Sequence, residues 1–170
     1  HGHFAFRSPS TRLEVFVASP VLSLTMPTRK RPELLERALR SLVTAMAPVA
    51  EHVEVTVSDG SDADTSGRVV DRLLKDWPGG HRYVWNRPAL TLVENMNRAA
   101  ELATGEWVQQ LDDDDLMLPS CGQPMIDCLR RVAAQEQVLL FGAHIVDAAG
   151  VKRREQIFGR EQYLSPREAL

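Results

Sequence analysis

The chain has 170 residues, with 44% hydrophobic and 25% charged side chains and a formal charge of −3. That is the composition of an ordinary soluble domain long enough to bury a core, and the charge gives no electrostatic reason to bind nucleic acid. No apolar run is long enough to span a bilayer, and 13–26 is broken by Ser19 and Pro20, so neither a membrane span nor a signal peptide is expected. Cys121 and Cys128, the only cysteines, form no metal spacing or disulfide framework and read as small core residues. They suit a reducing cytoplasm, the expected location, with peripheral attachment to the inner membrane face left open.

Residues 1–12 read as an irregular arm, and His1-Gly2-His3 as the remnant of an expression tag. A first strand is expected over 21–26, ending at Pro27. The turn Pro27-Thr28-Arg29-Lys30-Arg31-Pro32 carries three cations. Arg29 and Arg31 are either solvated charges or phosphate ligands, since arginine binds phosphate through two parallel hydrogen bonds. Pro32 suits a helix start, and Leu35, Leu39, Leu42 and Met46 recur at helical spacing.

Val53-Glu54-Val55-Thr56-Val57 alternates and is β-branched, as a second strand would be. It runs into Ser58-Asp59-Gly60-Ser61-Asp62, where Asp59 is either an Asx turn or an acceptor for the N–H groups or hydroxyls of a nucleoside. Asp62, Asp64, Ser66 and Gly67 match the opening of a calcium loop, but Leu73 stands where the closing acid is needed, and that reading fails. A helix over about 65–76 and a strand over 81–85 follow. Thr91-Leu92-Val93-Glu94 has the form of a capping box. The helix behind it carries Met96, Ala99, Ala100 and Ala103, with Gly105 as its C-terminal cap and Asn97 able to reach the rim.

A strand over 106–111 ends in Asp112-Asp113-Asp114-Asp115. Adjacent carboxylates repel, and gathering them where a strand stops calls for a shared cation. Hard Mn²⁺ or Mg²⁺ would take oxygen ligands there. The competing reading is an acidic turn before a helix over about 119–134. A strand over 138–141 leading toward Ile145-Val146, a turn at Asp147-Ala148-Ala149-Gly150 and a helix start at Ser165-Pro166 complete the chain.

Alternating strands and helices argue for an α/β fold, a mostly parallel sheet with helices on both faces. In such sheets ligands bind beyond the carboxyl ends of the strands, where the turns at Pro27-Thr28, Asp59-Gly60, Asn86 and Asp112 to Asp115 would converge. The absence of GxxxxGK[ST] and GxGxxG argues against P-loop NTPases and ordinary dehydrogenases, and that of Gly-x-Ser-x-Gly against an α/β-hydrolase.

Four of these segments, in this order, resemble the family 2 glycosyltransferases of the GT-A, Rossmann-like fold. Pro27-Thr28-Arg29-Lys30-Arg31 is similar to the family's Pro-Thr-x-Asn-Arg turn, with Lys30 in place of Asn. Val55 to Asp62 resembles its strand ending in acids, and Asn95 to Val108 its Asn-rich helix and following strand. Leu111 to Pro119 is similar to its Leu-Asp-x-Asp-Asp-x-x-x-Pro, the DxD motif.

The resemblance implies a nucleoside-diphosphate-sugar donor, a divalent metal (Mn²⁺ or Mg²⁺) and inverting transfer to a saccharide, lipid or small-molecule hydroxyl. Pro27, Thr28 and Asp59 would hold the nucleoside, with Arg29, Arg31, Asn97 and Asp113 beside the donor. Asp112 would approach the ribose or sugar, Asp114 would bind the metal through the diphosphate, and Asp115 would support them. Residues 13–170 would then form the nucleotide-sugar-binding domain, with the acceptor-binding part and the catalytic base further downstream. Two alternatives stay open: a donor-binding module without turnover, and a nucleotidyltransferase.

Overall fold

In the computed structural model, residues 19–132, 143–147, 149 and 151–156 are described. Four strands make a parallel sheet: β1 Leu22–Thr28, β2 Val53–Asp59, β3 His81–Trp85 and β4 Trp107–Gln110, in spatial order β3-β2-β1-β4. The helices between them are α1 Pro32–Met46, α2 Gly67–Leu74 and α3 Leu92–Glu101, and α4 Gly122–Arg131 follows β4. The chain divides into two compact units, 1–126 and 127–170. In the second unit β5 Ala143–Val146 and β6 Lys152–Gln156 form an antiparallel hairpin. Its turn is held by Asp147, whose carboxylate accepts the Ala149 and Val151 N–H groups. The expected strand at 138–141 and the helix start at Ser165-Pro166 lie outside the described residues.

The strand order places a switch point between β1 and β4. From β1 the chain steps outward through β2 to β3, then returns to the other side of β1. Because crossovers between parallel strands are right-handed, the outward and return steps put their helices on opposite faces. The outward helices α1 and α2 pack on one another, and α3 packs on β1 and β2. Both central strands are consequently buried along their whole length.

Alternation along β1 and β2 gives the two faces different chemistry. Leu22, Leu24, Met26, Val53, Val55 and Val57 make one face apolar. It suits α1, whose Leu35, Leu39, Leu42 and Met46 are fully buried at the helical spacing read from the sequence. The α3 face is polar and saturated. Thr56 Oγ1 donates to the Ala99 carbonyl (2.9 Å), and Ser58 Oγ to Asn95 Oδ1 (2.7 Å). At the amino end, the buried Glu54 carboxylate accepts Ser23 Oγ (2.7 Å), Thr104 N (2.8 Å) and Thr104 Oγ1 (3.0 Å).

Several boundaries differ from those expected. β1 continues through Pro27 to Thr28. Its pairing with β4 ends at Thr25, so the missing N–H of Pro27 removes no bond from that ladder. Helix α3 begins with Thr91 as a full capping box but ends at Glu101, with Leu102 as its C-cap. Gly105 is therefore not a cap. It lies against β1, where a Cβ would come within 2.7 Å of Ser23 N, and its N–H donates to Ser23 Oγ (2.9 Å). Cys121 and Cys128 are half-buried rather than core residues.

Candidate functional site

The carboxyl ends of β1, β2 and β4 are stitched into one rim by side chains that come from loops far apart in sequence. Asn95 is buried in α3, and its Nδ2 donates to the Thr28 carbonyl (2.9 Å), which also accepts Gly60 N (3.0 Å). Asn86, just past β3, donates through Nδ2 to Ser58 Oγ (2.9 Å). The rim asparagine of α3 is thus Asn95; Asn97, the residue expected there, is exposed. The helical period carried that signal, since Asn95 lies one turn before the buried Ala99 and shares its face.

Asp59 ends β2 fully buried. Its Oδ1 accepts Ser61 N (2.8 Å) and its Oδ2 lies 3.2 Å from the Tyr83 hydroxyl. That hydroxyl is closer to Asp64 Oδ1, at 2.8 Å. Burial, then the hydrogen bond to Asp64, raises the Tyr83 pKa far above its ordinary value. Trp85 ends β3 with Nε1 donating to the Ser61 carbonyl (2.8 Å), and the Arg87 guanidinium lies 4.1 Å above its ring.

Residues 28–31 turn sharply out of β1. Lys30 sits in the left-handed region (φ 58°), its N–H donates to Ser61 Oγ (2.7 Å), and its ammonium pairs with Asp62. That pairing holds the Asp62 carboxyl below its ordinary value. Arg29, exposed, reaches the Leu90 carbonyl at 3.4 Å.

The acidic run forms a turn closed by Asp115 N donating to the Asp112 carbonyl (3.1 Å). Leu111 and Met117 are buried at its two ends, and Met117 N donates to Ser41 Oγ of α1 (3.0 Å). Seated this way, the turn points Asp113 inward and leaves Asp112, Asp114 and Asp115 exposed. Asp112 Oδ1 accepts Gln110 Nε2 (2.7 Å). Asp113 is fully buried: Oδ2 accepts Thr28 Oγ1 (2.8 Å) and Arg31 Nε (3.2 Å), and Oδ1 pairs with Arg31 Nη2 (2.5 Å). Arg31 Nη1 reaches on to Asp114 Oδ2 (3.2 Å). Thr28, Arg31 and Asp113 therefore bridge β1 and β4 across the switch point, the place where open α/β sheets bind ligands.

Burial raises the Asp113 pKa against the opposing pull of Thr28 and Arg31. Desolvation, then the charges of Asp112 and Asp114, raises that of Asp115. The exposed side of the turn thus carries more negative charge than the protein neutralises. Among the described residues no group of three or more His, Cys, Asp or Glu side chains is arranged to hold a metal ion unaided. Exposed carboxylate oxygens with unbalanced charge do fit a hard divalent cation that takes one or two protein carboxylates and completes its shell from a diphosphate.

The chain matches the family described as "Glycosyl transferase family 2" over residues 23–158, and it belongs to that family. Among curated proteins it is 29% identical over 136 residues to the GalNAc(5)-diNAcBac-PP-undecaprenol beta-1,3-glucosyltransferase of Campylobacter jejuni, covering 80% of this chain and 42% of that protein. It is 26% identical over 151 residues to an uncharacterized protein of Mycobacterium tuberculosis, covering 89% of this chain and 44% of that protein. The chain thus spans less than half the length of these relatives.

Two solved structures share the fold. Residues 1–349 of S. aureus TarS match with TM-score 0.56 and 21% identity, over 65% of this chain and 32% of that one. The mannosyltransferase PcManGT from Pyrobaculum calidifontis, in complex with GDP-Man and Mn²⁺, matches with TM-score 0.55 and 24% identity, over 68% and 33%. The fold is accordingly that of the GT-A glycosyltransferases. No helix among the described residues is long and apolar enough to cross a membrane.

Proposed function

We propose that this chain is the donor-binding part of a glycosyltransferase, which moves a sugar from a nucleoside diphosphate sugar to an acceptor hydroxyl with inversion. The observation that carries this reading is the acidic turn at the switch point, with Asp112, Asp114 and Asp115 exposed and the buried Asp113 holding it to β1. Family membership supports it, as does similarity to a glucosyltransferase and to a mannosyltransferase in complex with GDP-Man and Mn²⁺.

In this reading the nucleoside lies over the ends of β1 and β2, against Pro27, Thr28 and the Asp59 turn. Arg29 and Arg31 face the diphosphate. Asp112 approaches the ribose or sugar, and Asp114, supported by Asp115, holds Mn²⁺ or Mg²⁺ through the diphosphate oxygens. When bound, the metal would supply positive charge to the departing nucleoside diphosphate. Asp113 acts through Thr28 and Arg31 rather than on the ligand, and Asn97, exposed on α3, takes at most an outer contact. The acceptor is a saccharide, lipid or small molecule bearing a hydroxyl.

The test is calorimetric titration of UDP-, GDP- and dTDP-sugars in the presence of Mn²⁺. Binding of one donor family, absent in Asp114→Ala, is expected. Pyrophosphate release from a nucleoside triphosphate plus a sugar 1-phosphate would instead identify a nucleotidyltransferase.

A further inference from the structure

Arg31 has two usable edges, and the structure places them in different surroundings. Nε and Nη2 are committed to Asp113, which is fully buried and whose Oδ2 also accepts the Thr28 hydroxyl. Nη1 reaches Asp114, whose side chain is 52% exposed, at 3.2 Å. The first edge is fixed by a buried partner that would be costly to leave unpaired. The second makes an exposed contact, which is weak and easily exchanged. Two of the four consecutive carboxylates, Asp113 and Asp114, share this one guanidinium. The anchoring acid, Asp113, stands at the position the DxD pattern leaves unspecified.

We infer that Arg31, anchored on Asp113, serves as a placeholder cation: its Nη1 edge occupies Asp114 in the free protein and passes to the donor's diphosphate when a divalent metal takes Asp114. This rests on the nucleotide-sugar reading above. No bond is made or broken; three ionic partners exchange. The free turn is kept partly neutral and in shape, and the guanidinium that meets the diphosphate is already oriented, so little side-chain entropy is lost on binding. The exchange also makes Arg31 a competitor of the metal when no nucleotide is present, and its ally when one is.

That opposition of signs gives the test. Mn²⁺ alone, and then UDP, GDP or dTDP in saturating Mn²⁺, are titrated calorimetrically into the wild type and into the Arg31→Gln/Asp113→Asn double variant. The pair of substitutions removes one positive and one negative charge, so long-range electrostatics at the turn is balanced. The inference expects tighter Mn²⁺ binding, because Asp114 is released, and nucleoside diphosphate binding weaker by about tenfold, the worth of a lost charge-assisted contact.

Loss of both affinities together would mean that the pair only holds the turn in shape, and would overturn the inference. So would no change in either. Arg31→Lys, which keeps the charge but cannot span both carboxylates, is expected to move both affinities in the same directions and serves if the double variant does not fold. A wild type that binds no nucleoside diphosphate would overturn the donor reading itself, and this inference with it.

Discussion

Lys30 sits in the left-handed backbone region, where a side chain with a Cβ is strained and Asn or Gly is at ease. Its ion pair with Asp62 is between two exposed side chains and contributes little. Lys30→Asn should therefore stabilise the protein by about 1 kcal/mol, the backbone penalty relieved. Urea denaturation should show a higher midpoint at unchanged slope, and a lower midpoint would show that the ion pair outweighs the strain. At Asp115 the sign is set by a raised pKa. A carboxyl raised in the folded state favours folding when protonated, and that contribution is lost as pH rises through the raised value. In metal-free buffer at pH 7, Asp115→Asn should thus be more stable than wild type. The difference should shrink as pH falls toward the ordinary Asp range, and a difference that grew on acidification would contradict the assignment.

Among the elements, the polar face under α3 is the least expected feature. The sequence made the elements legible where a signal was local: the β-branched alternation of β2, the capping box at Thr91, the helical spacing of Leu35, Leu39 and Leu42. Alternation in β2 ordinarily means one solvated face. Here Glu54, Thr56 and Ser58 are buried because their partners, Ser23, Thr104, Ala99 and Asn95, arrive from distant parts of the chain, and no local pattern announces them. The same reason hid the part played by Gly105, which a local reading takes for a cap. Glu54→Ala should cost about 2–3 kcal/mol, since it leaves buried donors on Ser23 and Thr104 unpaired. Glu54→Gln, which keeps an acceptor and the volume, should cost clearly less. Equal losses in thermal denaturation would show that the carboxylate is not what joins β2 to the α3–β4 loop.

For the molecule as a whole, the candidate site was legible as a set of turns on one rim, and the resemblance supplied the roles proposed for them. What the sequence did not disclose was which of the four consecutive carboxylates turns inward, since neighbours of one kind carry no pattern; the seating of Leu111 and Met117 decides it. The strand order then puts the three exposed acids across the switch point from Thr28 and Arg31.

The most direct test of the account is calorimetric titration of UDP, GDP and dTDP, with and without Mn²⁺, into the wild type and Asp114→Ala. Binding of one nucleotide that requires Mn²⁺ and is lost in the variant is the predicted result. Binding of none, or binding unchanged by Mn²⁺ and by Asp114→Ala, would contradict the central claim and leave the acidic turn a structural link between β4 and α4.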